Sequence, residues 1–153
     1  MESVTRLDRV FPFDGMLSFL IPSEWAEETE DDHYLYARPG TDSGWLRVSL
    51  ITIRSVSETL SRSLERAFDG REQVIVEERT GNLVRASEKD SEEAGIDIHL
   101  YYWKVAQVLP PDLICKAIFS YTVLRERINE EETRQTVKLI ARLASQARFS
   151  RSD

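Results

Sequence analysis

The feature that most constrains the fold of this chain is a pair of long apolar segments joined by a short turn. Residues 96–109 and 113–124 have the composition of β-strands, and Pro110-Pro111-Asp112 between them reverses the chain. Apolar residues fall at successive positions in both segments, so apolar side chains point to both faces of the predicted strands. Strands with this pattern lie at the centre of a sheet that is covered on each side. The sequence therefore predicts a central antiparallel pair of strands.

Shorter strands are predicted on the amino-terminal side of this pair. Asp14-Gly15 is a strong hairpin turn, because glycine tolerates a positive φ angle, and a strand over residues 16–21 follows it. Pro22 ends that strand, since proline cannot donate a hydrogen bond to the ladder. The acidic stretch 24–32 is expected to be a loop. Further strands are predicted over residues 33–37, 45–53, 73–78 and 83–87.

Two helices are predicted, each from a capping box and an apolar stripe. Ser55 and Glu58 form the first box, and Asn129 and Glu132 form the second. The stripes comprise Leu60, Leu64, Ala67 and Phe68 in the first helix and Val137, Ile140, Ala141 and Ala144 in the second. Strands that arrive in runs between helices indicate an α+β fold with a largely antiparallel sheet. Helices packed on both faces of that sheet account for the apolar residues on both faces of the long strands.

The length and composition fit one domain. We assign residues 1–153 to a single α+β domain, with frayed ends at residues 1–8 and 150–153. The single Cys115 excludes an intrachain disulfide. We find no apolar run near the amino terminus that indicates a secretory signal, and no segment with the roughly 18 apolar residues that span a bilayer. We therefore expect a cytoplasmic protein that does not insert into a membrane.

The net charge argues against nucleic acid as a partner. The chain carries a formal charge of −7, and its acidic residues cluster in the stretches 24–32 and 88–93. A protein that binds nucleic acid needs cations that release counterions from phosphates. The basic residues concentrate in the last helix and the tail, where many suit the negative end of the helix macrodipole. They are Arg134, Lys138, Arg142, Arg148 and Arg151.

One short segment points to a family. Phe19, Ile21, Pro22 and Trp25 form the pattern Phe-x-Ile-Pro-x-x-Trp, and Trp103 and residues 119–122 add to it in the long strands. With the element order, this pattern resembles the PsbP-like superfamily, which includes photosystem PsbP, the Ran-binding Mog proteins and bacterial DcrB-like proteins. The resemblance implies an α/β/α sandwich and members that bind proteins or act as accessory factors. Some bacterial relatives are chaperones that hold apolar segments of secreted effectors. No functional motif of a member is matched, so no functional residue is carried over.

The sequence offers little that indicates catalysis. We find no serine-hydrolase, P-loop or dinucleotide-binding pattern, so we expect a protein that is not an enzyme and that needs no cofactor and no metal. Asp97 and His99 lie two residues apart on a predicted strand and therefore share a face. With His33 they form the alternative hypothesis, a metal-dependent or acid–base enzyme. The competing interpretation is that these three residues belong to an ordinary polar surface.

The favoured hypothesis is a protein that binds another polypeptide on a sheet face or in a groove. Tyrosine and tryptophan are typical interface anchors, and acidic side chains around them favour a basic partner. The function is then that of an adaptor, a secretion-type chaperone or an immunity-like protein. Its partner carries apolar helical segments or a basic surface, and a homodimer through exposed aromatic rings stays open. The predicted contact residues are Tyr34, Tyr36, Trp45 and Tyr101, with Glu28, Asp31 and Asp32 around them.

Overall fold

Ten antiparallel strands and one α-helix account for most of the chain that the structure describes. The computed structural model describes residues 6–38, 44–54, 74–110 and 112–151. The elements are β1 (Leu7–Val10), β2 (Leu17–Pro22), β3 (Ala26–Glu30), β4 (His33–Ala37), β5 (Leu46–Arg54), β6 (Ile75–Val76), β7 (Leu83–Glu93), β8 (Ile96–Leu109), β9 (Leu113–Leu124), α1 (Glu131–Ser145) and β10 (Arg148–Phe149). Short 3₁₀ turns lie at Phe13–Gly15 and Arg125–Arg127. The two long strands have the bounds that the sequence predicts.

Seven of the strands form one sheet, in the order β3-β4-β5-β9-β8-β7-β6. The predicted pair β8 and β9 lies near its middle, with Trp103 opposite Phe119 and Tyr102 opposite Ser120. Because side chains alternate along a strand, this register defines two faces. The core face carries Trp103 and Phe119, and the groove face carries Tyr102 and Ser120.

A second, three-stranded sheet and α1 cover the core face. The order in the small sheet is β1-β2-β10, and Phe19 of β2 packs edge-on against Phe119, with the ring centroids 5.2 Å apart. Ile140 and Ala144 of α1 belong to the same buried cluster. Burial of these apolar side chains is the main favourable term in folding. The buried residues are Leu17, Phe19, Ile21, Tyr36, Leu46, Val48, Trp103, Val105, Ala117, Phe119, Tyr121, Val123, Ile140, Ala144 and Ala147.

The predicted arrangement of helices on both faces of the sheet is wrong. Strands make up 58% of the described residues, which contain a single α-helix and two antiparallel sheets. A strand layer with one helix therefore covers the core face, in place of a helical layer on each side. On the groove face, Ile98, Ala106 and Ile114 are buried, whereas polar residues such as Lys104, Ser120 and Thr122 are half-exposed. The helix predicted from Ser55, with its stripe from Leu60 to Phe68, lies outside the described residues.

The start of α1 differs from the predicted capping box. The helix begins at Glu131, and Glu130 occupies the N-cap position without a side-chain hydrogen bond. Glu132 instead forms an ion pair with Arg38, which follows β4, at 2.6 Å. The same guanidinium donates a hydrogen bond to the Thr136 hydroxyl at 3.2 Å. These contacts join the start of α1 to the edge of the large sheet. Among the described residues, no helix is both long enough and apolar enough to cross a membrane.

A buried amide joins the other end of α1 to the sheet. Asn82, which is 1% exposed, follows the turn before β7. Its Nδ2 donates to the carbonyl oxygens of Ala147 at 2.6 Å and Ser145 at 3.1 Å. The Gln107 amide on β8 donates to Asn82 Oδ1 at 3.2 Å and to the Thr80 carbonyl at 2.8 Å. The carbonyls at a helix end lack partners within the helix, so this network satisfies two groups that burial would otherwise penalise.

Candidate functional site

A groove of about 700 Å³ runs across the groove face of the large sheet. We call it the acidic groove. It extends from β3 across β4, β5, β9 and β8 to β7, which is about 24 Å along the sheet at roughly 4.8 Å per strand. Leu35, Leu100 and Tyr102 contribute apolar surface to it. Its lining residues are Glu28, Glu30, Leu35, Gly44, Trp45, Arg47, Ser91, Glu92, Glu93, Ile98, Leu100, Tyr102, Ser120 and Thr122.

Both ends of the acidic groove carry carboxylates. Glu28 and Glu30 belong to β3 at one end, and Glu92 and Glu93 belong to β7 at the other. Among the described residues that line the groove, Arg47 is the single basic one. The four glutamates outnumber Arg47 and the neighbouring Lys89, whose ammonium lies over the Tyr102 ring, so the groove keeps an excess of negative charge. Charges of one sign in a concave surface concentrate their field there. The groove favours a positively charged occupant.

Trp45 supplies the largest exposed ring in the groove. Its residue is 43% exposed although it directly precedes β5. The carbonyl of Trp45 accepts a hydrogen bond from the Thr122 amide on β9 at 3.4 Å. Gly44 makes this approach feasible: its φ is +71°, and a Cβ there would overlap the Thr122 carbonyl oxygen. The backbone thus holds Trp45 at the groove, where an indole ring can pack on an apolar or cationic side chain.

Tyr102 forms a second aromatic surface on the groove face. It lies on β8 opposite Ser120, and its ring is half-buried. The Lys89 ammonium of β7 lies 5.8 Å from the centre of that ring. A cation over the face of a tyrosine is attracted by its quadrupole. The same contact is available to a basic side chain of a partner on the open side of the groove.

The structure places the predicted contact residues in three different locations. Trp45 and Glu28 line the acidic groove. The three tyrosines lie on the core face: Tyr36 is 1% exposed, Tyr34 packs edge-on against Phe13 at 4.7 Å, and Tyr101 lies between His99 and Trp103. Burial, and secondarily the charge of Glu27, raises the pKa of Tyr36.

The remaining two predicted contact residues form the turn between β3 and β4. Asp31 and Asp32 are both exposed, and Asp31 has a φ of 51°. Tight hairpins need such positive angles, which aspartate tolerates better than most residues. The turn therefore places the two carboxylates at the tip of the hairpin that carries Glu28 and Glu30.

His99 lies in a charged cluster away from the groove. Its Nδ1 is 2.7 Å from Asp90 Oδ1, and its Nε2 is 3.3 Å from Glu88 Oε1. Carboxylates only accept hydrogen bonds, so both contacts form together only when both ring nitrogens carry a proton. Arg125 also reaches Asp90, at 3.2 Å. The hydrogen bond from His99 is the main cause that lowers the pKa of Asp90, and the charge of Arg125 acts in the same direction.

The structure does not bring His33, Asp97 and His99 together. Asp97 and His99 share the core-face side of β8, whereas His33 lies on the groove-face side of β4. Strands β4 and β8 are separated by β5 and β9, which corresponds to about 14 Å across the sheet. Over the described ranges of the chain, no group of three His, Cys, Asp or Glu side chains is placed to hold a metal ion.

Sequence reasoning missed most of the acidic groove. It did not single out Glu30, Glu92, Glu93, Leu100 or Tyr102 as contact residues. The alternation along 96–109 places Leu100 and Tyr102 on one face, so this signal was available. The signal that was missing is the strand order, which brings β3 and β7 to the two ends of one surface.

The comparisons with known proteins show the fold. No known family and no curated protein matches the sequence. The fold is similar to that of a protein from Bacteroides thetaiotaomicron VPI-5482, with a TM-score of 0.62 and 14% identity over 94% of this chain. This chain spans 48% of that protein, about half of its length.

Two further solved structures match almost end to end. LpqN of Mycobacterium tuberculosis, which is involved in cell envelope biogenesis, gives a TM-score of 0.58 at 9% identity, covering 97% of this chain and 93% of LpqN. The Ran-binding protein Mog1p of Saccharomyces cerevisiae gives 0.54 at 9% identity, covering 95% of this chain and 96% of Mog1p. These identities show a shared fold alone. They support the resemblance to Mog proteins at the level of the fold.

Proposed function

We propose that this chain is a non-enzymatic protein-binding module whose acidic groove holds a basic segment of another polypeptide. The observation that carries the proposal is the charge of the groove, with four glutamates and one arginine around an exposed tryptophan. Lysine and arginine side chains complement both parts, because they pair with carboxylates and pack on aromatic rings. A protein partner also agrees with the shared fold of Mog1p, which binds Ran.

A client with purely apolar helical segments fits this groove less well. Covering the groove with an apolar surface would remove Glu28, Glu30, Glu92 and Glu93 from water without giving them partners. Basic residues compensate that cost and accelerate the encounter through electrostatic steering. Of the roles predicted from the sequence, an adaptor or an immunity-like protein with a basic target is therefore favoured over a chaperone of apolar helices. The cytoplasmic location stays a prediction, and the homodimer is not part of this proposal.

Capture of partners from a host lysate tests the proposal when groove variants are compared. Trp45→Ala removes the aromatic anchor, and Glu28→Gln with Glu93→Gln lowers the charge at both ends of the groove. Phe11→Ala is the matched aromatic control, because Phe11 is 63% exposed outside the groove. Glu126→Gln is the matched charge control on an exposed residue.

We expect one polypeptide with a basic segment to be captured by the wild type and both controls. Trp45→Ala should weaken its binding roughly 30-fold, as loss of a central aromatic anchor does. The double glutamine variant should bind more weakly and lose part of the salt dependence. Equal capture by all variants would show that the groove is not the binding site. If neither the wild type nor any variant captures a basic polypeptide, the proposed function is wrong.

A further inference from the structure

A second pocket, which we call the arginine pocket, lies on the core-face side of the molecule at the end of α1. Its volume is about 500 Å³, within the range of small-molecule sites. Arg9 of β1, Arg148 of β10 and Arg79 from the turn before β7 all line it. None of the described residues that line it is an aspartate or a glutamate, although the chain has a net charge of −7. The pocket is therefore opposite in charge to the protein around it.

Two of the guanidinium groups come from neighbouring positions of the small sheet. Arg9 donates a hydrogen bond from Nη1 to the Ser18 hydroxyl at 3.1 Å, and Arg148 is paired with Ser18 across β2 and β10. Burial, and in addition the charge of Arg148, lowers the pKa of Arg9. A lowered pKa of Arg9 is expected when two guanidinium groups, here those of Arg9 and Arg148, lie close together. In the part of the chain that the structure describes, no carboxylate forms a salt bridge with Arg9, Arg79 or Arg148.

The end of α1 does not neutralise these charges. Gln146 and Ala147 at the carboxyl end of the helix line the pocket, and a helix end carries about half a negative charge. Three guanidinium groups carry three positive charges, so the pocket stays strongly positive. Two of the carbonyl groups at this helix end already accept hydrogen bonds from Asn82. The rest of the wall combines apolar residues, among them Leu109 and Phe149, with the polar side chains of Thr80, Asn82, Gln107 and Gln146.

We propose that the arginine pocket binds a small molecule with at least two negative charges on phosphate or carboxylate oxygens. The planar fork of a guanidinium matches both oxyanions with paired hydrogen bonds, and three arginine residues line one pocket here. The apolar residues of the wall, such as Leu109 and Phe149, then contact the organic part of the ligand. This site is separate from the acidic groove, so the proposal does not depend on the groove having a partner.

Titration calorimetry with inorganic pyrophosphate and with citrate tests the proposal on the full chain. The pocket variants are Arg148→Gln and Arg79→Gln. The matched control is Arg134→Gln, because Arg134 is exposed on α1 and does not line the pocket. Circular dichroism and thermal unfolding of each variant establish that it is folded.

We expect one pyrophosphate or one citrate ion to bind per chain, with an affinity that falls as the salt concentration rises. Each pocket variant should bind roughly tenfold more weakly, the effect of losing one charged hydrogen-bond donor, and Arg134→Gln should bind as the wild type does. Tighter binding of pyrophosphate identifies a phosphate ligand, and tighter binding of citrate a carboxylate ligand. The proposal is overturned if neither ion binds, or if folded Arg148→Gln and Arg79→Gln bind as tightly as the wild type.

Discussion

At the scale of single residues, the side chain of Asn82 links the end of α1 to β8 through hydrogen bonds. One amide donates to two carbonyls at the end of α1 and accepts from Gln107. We expect Asn82→Ala to lower the free energy of unfolding by about 2–3 kcal/mol, because buried polar groups lose their partners. Asn129→Ala is the matched control on an exposed residue and should cost less than about 0.5 kcal/mol. Chemical denaturation of both variants measures the difference, and equal costs would contradict the network.

Gly44 allows a second contact, in which the backbone before β5 approaches the backbone of β9. Both Gly44 and Gly95 have positive φ angles, but only at Gly44 would a Cβ meet a backbone atom, the Thr122 carbonyl oxygen. Gly95→Ala therefore reports the cost of the angle alone, about 1–2 kcal/mol. Gly44→Ala should cost clearly more and should change the quenching of tryptophan fluorescence by acrylamide, because Trp45 moves with the backbone. Similar costs for the two variants would show that the close approach is not required.

At the scale of elements, ion pairs and hydrogen bonds of Asp112 and Arg151 stabilise the turn between β8 and β9. Asp112 accepts from Arg151 at 3.1 Å and Arg54 at 3.3 Å, and Arg151 also donates to the Leu109 carbonyl at 3.2 Å. The hydrogen bond from Arg151 is the main cause that lowers the pKa of Asp112, with the charges of both arginines acting in the same direction. Since the folded-state pKa is depressed, this carboxylate stabilises the fold above its unfolded-state pKa of about 3.9. The contribution is lost as the pH falls through the folded-state pKa.

The lowered pKa of Asp112 predicts how the stability of the protein depends on pH. Asp112→Asn should lower the melting temperature at neutral pH. Its difference from the wild type should begin to shrink as the pH falls below about 4 and should vanish below the folded-state pKa of Asp112. Asp97→Asn, on an exposed residue outside these ion pairs, should change the melting temperature little at neutral pH. Thermal unfolding followed by circular dichroism across this pH range is the measurement. A difference for Asp112→Asn that persists in acid would contradict the assigned cause.

Elements with a strong apolar pattern could be predicted from the sequence, and charged strands could not. Residues 96–109 and 113–124 gave the bounds of β8 and β9. Strand β3 was expected to be a loop because the stretch around it is acidic, and in the structure all five of its residues are exposed. Its position is fixed by pairing with β4 through the Asp31 turn. Strand β7 runs six residues beyond the predicted end, through Glu88–Glu93, because pairing with β8 continues there.

At the scale of the whole molecule, the layer arrangement and the binding surface depend on long-range pairing. Apolar residues on both faces of β8 and β9 predicted a cover of helices on both sides, whereas Lys104 and Ser120 make one face compatible with water. The acidic groove arises because β3 and β7 end up at opposite sides of one sheet. The local patterns of a single sequence do not reveal that strand order. Of the contact residues predicted by residue type, Trp45 and Glu28 line the groove, and their role in binding stays a prediction.

The acidic groove and the arginine pocket give the molecule two surfaces of opposite charge. The groove crosses the face of the large sheet that carries Tyr102, and the pocket lies among the small sheet, β8 and the end of α1. A basic polypeptide and a small anion would therefore bind at different places. Pyrophosphate at saturation should leave capture of the basic partner unchanged apart from the effect of ionic strength.

The central claim is that the acidic groove is the surface that holds a basic polypeptide segment. Its most direct test maps the amide chemical shifts of the isotope-labelled protein while the captured partner is added. The account predicts that the largest changes fall on Leu35, Trp45, Leu100, Tyr102 and Ser120, which line the groove. Changes concentrated on α1 and the small sheet, with these residues unaffected, would contradict it.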